Sequence, residues 1–415
     1  MKKLIYLYVL AMPFVSAFAI SEHLNISLLI SVFMLAMIPL DLYFTKKINR
    51  TNIKMHSIFI LCFLITILFS YTLNSFGDQT TTNHLFAYLT IFSCSFLSVQ
   101  YWLLKNCDDQ QFYRRLLFFI TLSIVVSSVY GCVEYFMAIR GTPIDNYIPR
   151  VAVQEYDADG LGDVFRTRRI RGFAEESGHF AFMLEILAPL AIFYLFYSGY
   201  SKMKLIIKVA ILLLLIATLL FTLSTAAFLI IPVAIFLSCC LYWRKVLRNI
   251  KSILIKLIPV FVVLGLLLAQ LPLKLLIELA IGSKFDSSSA DERSGRFTSF
   301  IETFPNSRIE NLLIGYGPSG YKTAGLKDAF LSLIPTILFE SGIIGLLFFI
   351  SALAYVFYQL LAIKSKINFF LAVGFISGFL HYIVIANYWY PWFWFLCVFI
   401  IYFKQKEERE QIFND

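Results

Sequence analysis

Apolar runs of about 17–25 residues recur along almost the whole chain, with short polar stretches between them. Wound into a helix, a run of that length crosses the roughly 30 Å hydrocarbon core of a bilayer. The pattern predicts about twelve membrane-spanning helices, near residues 4–20, 24–44, 57–73, 85–104, 116–139, 179–198, 206–222, 225–243, 252–273, 342–362, 367–385 and 388–404. The first run has the length of a signal peptide but no convincing small-residue cleavage site after it, so it is read as a retained helix. The expected fold is a single all-α polytopic membrane domain over residues 1–415, with two long polar loops at 140–178 and 274–341.

Charge then orients the spans. Basic residues between apolar runs favour the cytoplasmic side. Lys2 and Lys3 fall there, then Lys46, Lys47, Arg50 and Lys54, then Lys105, Arg114 and Arg115. Lys202, Lys204 and Lys208 follow, then Arg244, Lys245, Arg248 and Lys251, then Lys364 and Lys366, and finally Lys404, Lys406 and Arg409. One orientation satisfies every short basic loop, with an even number of spans and both termini cytoplasmic. Both long loops then face the exported side.

Composition narrows the class. The chain is 59% hydrophobic and 15% charged, against about a quarter charged in soluble domains. The net charge of +9 sits in the loops, so a nucleic-acid partner is not expected. Six of the seven Cys lie in apolar runs and Cys107 in a cytoplasmic loop, which predicts no disulfide. No Cys/His spacing suits a metal. The abundant Phe suits lipid-facing helices.

One cluster defies the charge rule. Arg166, Arg168, Arg169 and Arg171 lie in the first exported loop, followed by Gly172, Phe173, Glu175, Glu176 and His179. Guanidinium forks grip phosphate oxygens in pairs, so the group suits a lipid diphosphate. The alternative is pairing with Glu175, Glu176, Asp157, Asp159 and Asp163. Gly172 permits a sharp turn or close approach. Glu175 or Glu176 suits a general base on a sugar hydroxyl, or an ion pair with the neighbouring Arg residues. His179 is a base or an interfacial histidine.

The second exported loop predicts an amphipathic helix from Arg296, with Phe297, Phe300, Ile301 and Phe304 on one face. Gly315, Gly317 and Gly320 with Pro318 mark a tight turn. Such a turn can present amides to phosphate, but it lacks the Gly-Lys-Ser/Thr ending of a P-loop. Residues 329–341 predict a re-entrant helix capped by Asp328, and Asp328 is equally a candidate acid or base. Glu340, and more weakly Glu185 and Asp41, are carboxylates at membrane depth, where charge is costly and often functional.

Taken in order, Arg169-Ile-Arg171-Gly172-Phe173 before a span, Arg296 in an amphipathic stretch, Leu313-Ile-Gly315-Tyr-Gly317-Pro318 and Glu340-Ser-Gly342 opening a span resemble the O-antigen polymerase and ligase superfamily over about residues 150–362. The resemblance implies a GT-C-like glycosyltransferase of the bacterial inner membrane. Its donor would be an undecaprenyl-diphosphate-linked oligosaccharide, used at the periplasmic face without metal or cofactor. It implies that Arg168, Arg169, Arg171 and Arg296 bind the diphosphate, among membrane lipids, with a chain-length regulator and a flippase as protein partners. Ligases of this kind carry His where this chain has Asp328, which favours the polymerase. The alternatives are an O-antigen ligase acting on lipid A-core, and a lipid-linked glycan transporter. A transporter would line its spans with charge; here the charges gather in two loops.

Overall fold

The structure is a computed structural model that describes residues 1–19, 25–45, 55–74, 78–142, 144, 147, 148, 150, 151, 169–242 and 288–412. The expected span 252–273 lies outside the described residues, as do Arg166 and Arg168.

Among the described residues the chain is helical throughout, without a strand. Six helices are long and apolar enough to cross a membrane: α2 (Ile26–Thr45), α3 (Met55–Asn74), α4 (Gln79–Lys105), α5 (Gln110–Ile139), α6 (Ser177–Phe196) and α12 (Leu333–Ala362). Shorter apolar helices are α7 (Leu205–Phe221), α8 (Thr225–Leu241) and α13 (Ile367–His381). The protein is therefore membrane-embedded. The remaining elements are α1 (Lys2–Ala11), α9 (Ser288–Thr303), α10 (Ile309–Ile314), α11 (Gly320–Thr323) and α14 (Pro391–Ile412). Asp78 and Asp109 cap α4 and α5, each accepting an amide of the first turn at 2.9 Å. A π-helical stretch, Ile91–Ser98, interrupts α4.

Four expectations change. The first apolar run gives only the ten residues of α1. Pro13 stops the helix, and the chain beyond it forms a bridge between Ala17 and Arg150. The re-entrant helix and the following span are one element, α12, bent at Gly342 (φ 65°, ψ −172°). Its N-cap is Ser332, so Asp328 does not cap it. The expected apolar face of the second loop is divided. Phe300 and Phe304 pack on Phe330 and Phe339, while Phe297 and Ile301 are exposed on α9.

The last change concerns Phe and what covers the final apolar run. Every residue of α14 from Trp392 to Ile400 is fully buried. A helix apolar on all sides belongs inside the protein, and α14 is the central post of the bundle. It packs against α4, α6, α12 and α13. Phe63, Phe92, Phe96, Phe112 and Phe349 also lie in that core rather than facing lipid. All seven Cys are free thiols.

Candidate functional site

The Arg-rich loop is built on a carboxylate that the sequence pattern hid. Glu134 lies near the end of α5 and is buried. It accepts from Arg150 Nη2 at 2.8 Å, from the Arg171 amide at 3.0 Å and from the Gly172 amide at 2.8 Å. Arg150 also donates to the Gly172 carbonyl at 2.7 Å, and its side chain has no exposed surface. The turn needs glycine. Gly172 has φ +57°, and a Cβ there would stand 2.7 Å from the Phe180 ring. Phe173 then stacks on Tyr130 at 4.1 Å, and its carbonyl accepts the Ser16 and Ala17 amides.

This anchoring leaves the cations Arg169 and Arg171 at the rim. Arg169 Nε donates to the Thr222 carbonyl at 3.3 Å, tying the loop to the turn between α7 and α8. Arg171 is about a quarter exposed, with Nε 3.9 Å from Glu134 Oε1. Arg150 and Glu134 were legible in principle, since Glu134 is the one acid within the apolar run 116–139.

The neighbouring acids join a different group. Tyr390, immediately before α14, donates to Glu175 Oε2 at 2.9 Å and lies 2.8 Å from His179 Nδ1. Burial first, and then the Glu175 charge, push the Tyr390 phenol well above its ordinary pKa, so it stays protonated. Glu176 occupies the N-cap position of α6 without a side-chain cap bond. Deeper in the bundle His381 Nδ1 meets Glu185 Oε2 at 2.9 Å, both almost fully buried.

In the second loop the glycines bring backbones together. A Cβ on Gly315 would lie 2.4 Å from the Glu340 carbonyl, and one on Gly342 would lie 2.3 Å from that of Leu313. The Tyr316 amide donates to the Phe339 carbonyl at 2.8 Å, Gly317 to the Glu340 carbonyl at 3.0 Å and Ser319 to Glu340 Oε1 at 2.8 Å. The amides that a phosphate would have needed are thus taken. Glu340 Oε2 accepts from Tyr88 at 2.5 Å. Glu340 therefore clamps the Gly315–Gly317 turn to α12 and α4.

Arg296 and Asp328 meet in one cleft of about 260 Å³, together with Lys327, Ser299 and Leu326. Arg296 Nη1 is aimed by a bond to the Ala329 carbonyl at 2.9 Å. Burial, then Glu340 and Asp328, raise the pKa of the nearby Tyr321 phenol.

What unites the two loops is the segment 382–390, which the hydropathy pattern divides between the expected spans 367–385 and 388–404. Its Tyr382 carbonyl accepts the Leu333 amide at 2.9 Å at the start of α12. Tyr388 stacks on Tyr88, the Glu340 partner, at 4.0 Å. Tyr390 holds Glu175 and His179. Both polar loops therefore converge at one end of the bundle. Among the described residues no group of three or more His, Cys, Asp or Glu could hold a metal ion.

The fold and this polar end define a membrane-embedded helical protein with a cationic, carboxylate-bearing face. Compared with known protein families, curated proteins and solved structures, the chain matches none.

Proposed function

We propose that the chain is a polysaccharide-repeat polymerase, a GT-C-like glycosyltransferase with about twelve spans that joins undecaprenyl-diphosphate-linked oligosaccharides. It would work at the periplasmic face of a bacterial inner membrane with both termini cytoplasmic. One observation carries the reading: segment 382–390 draws the Arg171 loop and the Arg296 loop to the same end of the bundle. This supports a reading in which cations and carboxylates from both loops serve one lipid-anchored substrate.

In this reading the acceptor hydroxyl attacks the anomeric carbon of the donor glycan. The bond from that carbon to the diphosphate oxygen breaks, and the electron pair leaves with the diphosphate. Arg169, Arg171 and Arg296, with Arg168, oppose the charge that develops there, where fixed cations act most strongly. The hydroxyl proton passes to a carboxylate. Asp328 stands beside Arg296, and Glu175 is wired through Tyr390 to His179. Both are candidate bases, with Glu176 alongside.

The buried His381–Glu185 pair favours a second reading, a lipid-linked glycan transporter, because charge within a bundle is costly and often marks a pathway. The glycan profile of a deletion strain separates the readings. A polymerase defect leaves one repeat on lipid A-core and removes the ladder. A ligase defect leaves lipid A-core bare while long lipid-linked chains accumulate. A transporter defect traps single repeats on the cytoplasmic leaflet. Complementation with Arg171→Ala plus Arg296→Ala should fail to restore the ladder with protein levels unchanged. A full ladder from that variant refutes the diphosphate role.

A further inference from the structure

The end of the bundle opposite the polar loops carries a second cleft, of about 430 Å³, lined in part by Arg114, Arg115, Lys202, Phe118, Tyr194 and Tyr200. Arg114 and Glu134 lie twenty residues apart on α5. At 1.5 Å per residue that is about 30 Å, the thickness of a bilayer's hydrocarbon core. The two ends of α5 thus sit at opposite membrane interfaces.

The charges at this end are not balanced evenly. Lys2 pairs with Asp109 and Arg409 with Asp108, each at 2.5 Å, and Lys105 pairs with Asp41. Lys404 and Lys406 pair with Glu408 and Glu410 on α14. Glu407 accepts the amides of Lys364 and Ser365. Those acids are engaged elsewhere, and among the described residues Arg114, Arg115 and Lys202 enter no ion pair. The rule that loops on one side are basic accounts for the sign of these charges. It does not account for their gathering around a cavity.

The cleft is also shaped. The Arg114 guanidinium lies over the Tyr200 ring, 4.6 Å from its centroid. Gln110 Nε2 donates to Tyr200 Oη at 2.6 Å, and the Tyr200 amide donates to Ser198 Oγ at 3.1 Å. Tyr113 packs edge-on against Tyr200 at 5.9 Å. Cations therefore sit at the rim, and the aromatic wall of Phe118 and Tyr194 extends along α5 and α6 into the bundle's apolar depth.

We infer that this cleft is a binding site for the phosphate headgroup of an anionic phospholipid. The three cations meet the phosphate, and the aromatic wall lies along the first part of the acyl chains. Soluble phosphate shares the headgroup chemistry but makes no use of that wall. The site is independent of the proposed glycosyl transfer, since its readout is lipid retention.

The test uses purified full-length protein in bilayer discs of phosphatidylcholine and phosphatidylglycerol in equal parts, with retained lipid read by native mass spectrometry. The wild type should retain phosphatidylglycerol in preference to phosphatidylcholine. Replacing Arg114, Arg115 and Lys202 together by Gln should cut that preference roughly tenfold, because each cation near an anionic lipid contributes measurably. Lys364→Gln with Lys366→Gln removes charge from the same end outside the cleft and should leave the preference intact. All these side chains are exposed, so the variants should fold as the wild type does. An unchanged preference in the triple variant overturns the site. So does an equal loss in the Lys364/Lys366 control. Displacement of the lipid by millimolar inorganic phosphate overturns the lipid assignment.

Discussion

Glu134 and Glu340 solve the same problem in opposite ways. Each is a buried carboxylate at the polar end of a long helix, and each accepts from the backbone of a glycine-containing turn in a long polar loop, Glu134 from two amides and Glu340 from one. Glu134 faces a buried guanidinium, Arg150, at 2.8 Å. Glu340 instead accepts from neutral donors, the Tyr88 hydroxyl and the Ser319 amide. The first loop is thus held by an ion pair that must stay intact, and the second by hydrogen bonds and backbone contact. A carboxylate that anchors a loop leaves other cations of that loop, Arg171 in one and Arg296 in the other, partly exposed.

The comparison can be broken at the ion pair first. Glu134→Gln leaves Arg150 buried without its counter-charge, a loss of about 3–5 kcal/mol. The variant should unfold at markedly lower denaturant in detergent. Glu340→Gln should cost less, about 1–3 kcal/mol, because one hydrogen bond is lost and no charge is stranded. Equal destabilisation by the two substitutions would remove the distinction. Gly342→Ala tests the backbone half of the second anchor. The added Cβ meets the Leu313 carbonyl at positive φ, and overpacking of this kind costs about 1–3 kcal/mol. Gly178→Ala, which meets nothing within 4 Å, should stay within about 0.5 kcal/mol of the wild type.

The smallest expected effect on stability is the most informative for function. Asp328 is not the cap of α12, so Asp328→Asn should change stability by no more than about 0.5 kcal/mol. If Asp328 is the base, the polymer ladder disappears all the same. A full ladder from a stable Asp328→Asn protein moves the role to Glu175, whose link to His179 runs through Tyr390. Tyr390→Phe should then lower polymer output at a stability cost of about 1 kcal/mol.

The sequence by itself determined that the chain is helical and membrane-embedded. It also determined where most apolar runs lie, because a bilayer demands continuous apolarity and internal backbone bonding, both local properties. The arginines and carboxylates of the two long loops stood out for a local reason too: they are charged residues that interrupt the apolar pattern. Other features were not local. Tyr390 reaches Glu175 across 215 residues, and Tyr88 reaches Glu340 across 252. No spacing rule spans such distances. Hydropathy also scores a side chain's dislike of water without saying whether lipid or protein covers it, so only packing shows that α14 stands at the centre of the bundle. The tertiary structure alone decided that post, the carboxylate anchors Glu134 and Glu340, and the meeting of both loops on segment 382–390, because each depends on which helices stand side by side.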